Sequence, residues 1–154
     1  MKYDKINSEL FIKNRKNFVA KMKPNSVAFF NSNDIYPVSA DSTLPFEQHR
    51  DIFYLSGVDQ EESVLMLCPN ASNPNHREVL FLKETDDHIA VWEGPKLNKQ
   101  QAYETSGVKS VYWLDEIEKI IDEVAKECDI IYYNHNEHYR AKIEMETREE
   151  RFNK

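Results

Sequence analysis

Six short apolar runs limit what this chain can become: residues 26–30, 53–55, 64–68, 79–82, 110–113 and 130–133. Each is too short for an ordinary helix and is bounded by polar residues, proline or glycine, which is the pattern of buried strands. Residues 69–76 hold two prolines and three asparagines, so the third and fourth runs read as a hairpin across a polar connection. Later runs are separated by helical patterns instead. Adjacent hairpin strands followed by helix–strand alternation indicate an α/β domain with a mixed β-sheet flanked by helices.

The helical segments carry their own signals. Leu10, Phe11, Phe18, Val19 and Met22 recur at helical spacing among basic residues, which predicts a helix over residues 7–22, stopped by Pro24-Asn25. Asn98 reads as the cap of a helix over 99–105 that ends near Gly107. Asp115 reads as the cap of a helix with Ile117, Ile120, Ile121, Val124 and Ala125 on one face. Residues 31–43 read as a long loop, and Asp86-Asp87-His88 as a solvated turn. Residues 134–154 are heavily charged and poor in large apolar side chains. They read as a tail or linker that cannot build a core of its own.

With 154 residues, 40% of them hydrophobic, the chain suits one domain with a sizeable core. A net charge of −7 argues against a nucleic-acid partner. No apolar stretch is long enough to span a bilayer, and the opening residues do not read as a secretory signal. Cys68 and Cys128 are too few for a disulfide framework; both read as reduced thiols of a cytoplasmic protein.

A search for chemistry finds little. His49, His76, His88, His135 and His138 are scattered, and His135-Asn136-Glu137-His138 matches no metal-ligand pattern. Ser56-Gly57 lacks the flanking glycine of a nucleophile elbow, and Cys68 follows an apolar run that would keep a thiol inert. Three glycines in the whole chain leave no phosphate-cradling loop. The residues therefore point to no catalytic set.

Two segments stand apart. Residues 45–58, Pro-Phe-Glu-Gln-His-Arg-Asp-Ile-Phe-Tyr-Leu-Ser-Gly-Val, end an aromatic run in a hydroxyl residue and glycine. Residues 91–95, Val-Trp-Glu-Gly-Pro, set a tryptophan beside a glycine in an acidic stretch. Gln48, Asp51, Tyr54, Ser56 and Gly57, then the acidic residue and apolar strand over 62–67, then Trp92-x-Gly94 with Leu97 and the helix from Asn98, occur in one order and spacing. With the Arg15-bearing helix, the turn at Pro24 and the loop over 39–42, this pattern resembles the amino-terminal domain of Xaa-Pro aminopeptidase (aminopeptidase P), of the creatinase and prolidase type. The resemblance covers roughly residues 11–133. Glu47, His49 and Val58 depart from it, where the family often has a basic residue, an asparagine and an aromatic.

The resemblance implies a ribonuclease H-like α/β fold for residues 1–133, with residues 134–154 leading toward a carboxyl-terminal metallopeptidase domain. It implies a whole enzyme that releases the residue preceding proline, using two divalent ions, manganese typically, held in that other domain. This chain alone would be inactive. Its role would be oligomer assembly and restriction of access to the active site, the partners being the catalytic domain, other copies of the chain and peptides with proline second. Trp92 and Asp41 are the candidates for the substrate entrance or an intersubunit contact; Asp51, Tyr54, Gly57 and Gly94 are structural signature positions. Two alternatives stay open: the same domain in a prolidase or creatinase relative, and a stand-alone interaction module.

Overall fold

The computed structural model describes residues 4–40, 42–135 and 138. Its centre is a five-stranded mixed sheet of order β6-β5-β4-β1-β7. The strands are β1 (Ser26–Asn31), β4 (Ser63–Leu67), β5 (Glu78–Leu82), β6 (Ser110–Trp113) and β7 (Ile130–Tyr133). Strand β4 runs antiparallel to both neighbours, with Leu65 opposite Phe30 on one side and Leu80 on the other. Strands β6 and β7 join the two edges in parallel, β6 beside β5 and β7 beside β1. The expected mixed α/β architecture is what forms.

Both faces of the central strands are covered, which is why those strands read as unbroken apolar runs rather than as alternating ones, whereas Ile131 and Tyr133 of the edge strand β7 are 60% and 70% exposed. Ala28, Phe30, Leu65, Leu67, Leu80 and Leu82 point to one face and pack with Ile52, Leu55, Ala102 and Val108. The intervening Val27, Met66, Val79 and Phe81 point to the other face, against Ile120 and Val124. The first face carries α1 (Ser8–Val19), α2 (Arg50–Ser56) and α4 (Lys99–Ser106); the second carries α5 (Ile117–Ala125). No helix among the described residues is long and apolar enough to cross a membrane.

Four local readings are corrected. Residues 53–55 are not a strand but the middle of α2. His49 caps that helix by accepting from the Asp51 N–H, and Gly57 closes it in the left-handed conformation, its N–H donating to the Phe53 carbonyl. The aromatic run misled because Gly57 looks like a strand stop when it is a helix C-terminal residue. Residues 31–43 are not all loop: β2 (Pro37–Ser39) and β3 (Ser42–Thr43) pair in a small hairpin. The Asp86-Asp87-His88 turn is the start of α3 (Asp87–Glu93), with the Asp86 carboxylate accepting from the Ile89 N–H at 2.7 Å. Asp115 caps nothing; it lies in a 3-10 turn over Leu114–Glu116, where the Glu116 carboxylate accepts from the Trp113 N–H.

Other boundaries follow their sequence signals. Asn98 and Gln101 form a reciprocal capping box at the start of α4, and Gly107 closes that helix in the left-handed conformation. Helix α1 starts at its Asn7 cap, but its buried face differs from the predicted one. Leu10 is exposed, whereas Asn14 and Arg15 are buried with Phe11.

Candidate functional site

Arg15 organises the helical face of the molecule. Its side chain is fully buried, a costly place for a charge, and its Nε and Nη1 are paired while Nη2 is left without a hydrogen-bond partner. One terminal nitrogen, Nη1, donates to the Leu55 carbonyl at 2.8 Å and the Ser106 carbonyl at 2.9 Å; Nε donates to Glu78 at 3.1 Å. Leu55 lies at the end of α2 and Ser106 ends α4. A guanidinium thus bridges two helix C-termini, where unpaired carbonyls and the helix dipoles both favour a cation. Burial pulls the Arg15 pKa below its ordinary value, while the charge and hydrogen bond of Glu78 resist that fall.

The two helix ends are near copies of one another. Each carries Ser-Gly-Val, at Ser56-Gly57-Val58 and Ser106-Gly107-Val108. Each serine hydroxyl donates to the carbonyl four residues back, Ile52 or Ala102, at 2.7 Å. Each also accepts from the N–H two residues on, Val58 at 3.2 Å or Val108 at 3.0 Å. Both serines are fully buried, so neither is presented as a nucleophile. The glycines, at φ 71° and 73°, sit directly under α1. A Cβ on Gly57 would lie 2.2 Å from the Phe11 ring, and one on Gly107 2.6 Å from Ile12.

The two signature segments are joined by glutamines. Gln48 Nε2 donates to the carbonyls of Val58 at 3.1 Å and Gln60 at 2.8 Å, while its Oε1 accepts from the His49 N–H. Gln60, itself buried, accepts from the Leu97 N–H at 2.8 Å. The segment after Gly94 is thereby tied to the segment after Gly57. Beside this link, Lys96 and Glu61 form an ion pair whose side chains are 8% and 18% exposed.

That pair sets a pH dependence. Burial works to raise the Glu61 pKa, but the hydrogen bond and charge of Lys96, a backbone hydrogen bond and the charge of Lys83 outweigh it, holding the carboxyl below its ordinary 4.5. A carboxyl depressed in the folded state stabilises fully above its unfolded value, and that contribution fades as pH falls through the lower folded value. Lys96→Met is expected to cost about 2–3 kcal/mol at pH 7, because a largely buried carboxylate loses its partner. In paired thermal melts the gap between wild type and this variant is expected to narrow as acid protonates the Glu61 carboxylate and removes the charge that Lys96 pairs. A gap of constant size would mean that the pair is not what couples stability to pH.

The predicted site residues fall as follows. The Asp51 N–H donates to the cap atom of His49, and its carboxylate lies 3.7 Å from that ring, half exposed. It serves the first turn of α2 rather than a strand. Tyr54 is 58% exposed, and what it contributes is its backbone carbonyl, which accepts from Asn14 at 2.8 Å. Gly57 lies directly against the Phe11 ring of α1. Gly94 follows α3 at φ 80° and ψ 168°, a conformation essentially confined to glycine. Trp92 belongs to α3 by its backbone; its side chain, and Asp41 altogether, lie outside the described residues. The departures from the family pattern are absorbed: His49 performs a capping role, and Val58 is fully buried in the core.

Sequence reasoning missed Arg15 as the central anchor and Gln60 as the link. The repeated Ser-Gly-Val, using two of three glycines, was the available signal for the first. Among the described residues, no three His, Cys, Asp or Glu side chains converge to hold a metal ion. The metal centre implied by the resemblance has no donor set among them. A hollow of about 230 Å³ lined by Asn73, His76, Tyr112 and Glu123 is smaller than the usual ligand pocket of about 300–1,000 Å³. Its polar groups already engage one another: His76 lies 3.3 Å from the Asn73 amide and 3.4 Å from Glu123.

The central strands are thus covered on both faces, and the side chains of Arg15, Gln48, Ser56 and Ser106 hold helix ends and loops together. The chain belongs to the aminopeptidase P N-terminal domain family, whose model matches residues 11–132. It is similar to the Xaa-Pro aminopeptidase of Escherichia coli (strain K12), with 29% identity over 138 residues, covering 90% of this chain and 31% of that protein. It is similar also to Xaa-Pro aminopeptidase 3 of Homo sapiens, with 29% identity over 105 residues, covering 67% of this chain and 21% of that protein. Among solved structures, E. coli aminopeptidase P with the inhibitor Pro-Leu superposes at a TM-score of 0.75 with 29% identity, covering 90% of this chain and 31% of that one. Pseudomonas aeruginosa aminopeptidase PepP shares the fold at a TM-score of 0.78 and 24% identity, with the same coverages, 90% and 31%. The chain thus spans a third or less of these relatives' lengths.

Proposed function

We infer that this chain is the non-catalytic amino-terminal domain of a metal-dependent Xaa-Pro aminopeptidase, and that it helps assemble the oligomer and narrows the approach to the active site. The observation that carries this reading is the mismatch of coverage. The alignment takes in 90% of this chain but only 31% of the E. coli Xaa-Pro aminopeptidase. In this reading the whole protein releases an amino-terminal residue preceding proline. Two divalent ions, manganese by the family resemblance, sit in a carboxyl-terminal domain joined through residues 134–154. Trp92 and Asp41 contribute to the entrance or to a contact between subunits.

Surface chemistry supports an interaction role. Ile35, Tyr36, Val38 and Leu44 are all exposed on and around the β2–β3 hairpin, within nine or so positions of one another and flanking Asp41. Exposed apolar side chains concentrated on one hairpin suit burial against another surface.

The test is direct. The purified chain, supplied with manganese and an Xaa-Pro peptide, is expected to release no amino-terminal residue above the rate of a boiled sample. Release of that residue would overturn the reading of this chain as non-catalytic.

A further inference from the structure

Two thiols lie together at the far end of the sheet. Cys68 follows β4 and is fully buried among Val27, Met66, Ala71 and Val124; Cys128, partly exposed, packs against the same cluster. Their sulfurs are 3.4 Å apart although the residues are 60 positions apart in sequence.

Both are held from the backbone. The Cys68 N–H donates to the Arg77 carbonyl at 2.8 Å, and its carbonyl accepts from the Ala71 N–H. On either side of Cys128, the Glu127 N–H donates to Val124 and the Asp129 N–H donates to Asn25. The Glu127 carboxylate also accepts from the Ser72 N–H at 2.8 Å, joining the two thiol-bearing segments a second time.

We propose that Cys68 and Cys128 are a reversible oxidation site, closing to an intramolecular disulfide under a peroxide oxidant. The sulfurs need only move from 3.4 Å to a bond of about 2.05 Å, a side-chain adjustment rather than a refolding. Cys128 reacts first, because it is the less buried residue of the two. Its thiolate attacks one peroxide oxygen, the O–O bond breaks, and the hydroxide that leaves takes a proton to become water. The Cys68 sulfur then attacks the Cys128 sulfenic acid; the S–O bond breaks, and the departing hydroxide takes up the Cys68 proton. Two thiols give up two electrons and two protons in all, and one peroxide becomes two waters.

The order of events has a second support. Burial, then the hydrogen bond and charge of Cys128, then Glu127, push the Cys68 thiol up to about 12. At neutral pH Cys68 is therefore a thiol and does not start the reaction. The neighbouring sulfur, always within contact, intercepts the sulfenic acid before a second peroxide can. The closed bond would fasten the end of β4 to the turn that leads into β7.

The experiment uses the 154-residue chain, reduced and then treated with hydrogen peroxide. Expected results are the loss of both free thiols, an intact mass lower by two hydrogens, and a peptide joining Cys68 to Cys128 in a non-reducing digest, all reversed by dithiothreitol. Thermal unfolding of the closed form is expected to rise by about 5–15 °C, the range for closing a loop of this length in a domain of this size. Cys128→Ser is expected to retain one unreactive thiol and show no shift with peroxide. Sulfinic acid on Cys128 beside a free Cys68, disulfide-linked dimers, or two thiols surviving peroxide that fully oxidises a surface-cysteine control would each overturn the proposal.

Discussion

Replacing Arg15 by methionine is expected to remove about 3–5 kcal/mol of stability, the range for breaking a buried charged network by deleting one partner. The methionine keeps most of the apolar stem, so the loss isolates the guanidinium. The Leu55 and Ser106 carbonyls lose a shared donor, and Glu78 loses its cation. Two helix C-termini would then face one another with nothing positive between them. In thermal unfolding followed by circular dichroism, the midpoint is expected to fall by about 10 °C or more. Arg15→Lys is expected to recover little. An ammonium on a shorter effective reach cannot serve two carbonyls and a carboxylate in the geometry of a fork. A methionine variant within about 1 kcal/mol of wild type would mean that the bridge does not hold α2 and α4 together.

Gly57→Ala is the second large effect, expected at about 3–4 kcal/mol from left-handed strain and overpacking combined. The new methyl would sit 2.2 Å from Phe11 Cε2 and 2.4 Å from Cζ, and the backbone stays at φ 71°. Phe11 is itself buried, so its ring has no free space to enter. Gly94→Ala separates the two causes: φ is 80°, yet a Cβ there meets nothing within 4 Å. Only strain remains, at about 1–3 kcal/mol. Equilibrium unfolding in urea should rank Gly57→Ala as the more damaging. Adding Phe11→Leu to Gly57→Ala should return part of the loss by vacating the clash, a coupling that a double-mutant cycle reads directly. Absence of coupling in that cycle would show that contact with the Phe11 ring contributes nothing.

The sheet was legible in the sequence because burial on both faces forces its central strands to be apolar throughout. Five of the six apolar runs became its strands. The sixth failed because Ile52, Leu55 and Ser56 are helix-spaced and buried, while the exposed Tyr54 between them filled out an aromatic run. Short helices such as α2 and α3 were hidden as well: with seven residues each, about two turns, neither fills the window of about 11–18 residues over which helical periodicity is read. The family signature was readable from order and spacing, but not its physical meaning. Asp51, Tyr54 and Gly57 serve a helix start, a backbone acceptor and a close helix contact, none of which spacing alone reveals. Arg15 was invisible as an anchor because its partners are backbone carbonyls 40 and 91 positions away. The cysteine contact was hidden likewise, since nothing local to Cys68 or Cys128 announces the other.

The pairing of β1 with β7 has a consequence for how the chain comes off the ribosome. Among the described residues the first strand takes the seventh as its neighbour, through partners such as Ser26 with Ile130 that lie roughly a hundred positions apart. At about 5–20 residues per second, β1 waits on the order of ten seconds with one row of amides and carbonyls open. During that interval Val27 and Phe29 offer a ready template for a strand from another nascent molecule. A message truncated before position 130 would leave that edge open for good, so premature termination in this gene should yield aggregates rather than a smaller soluble domain.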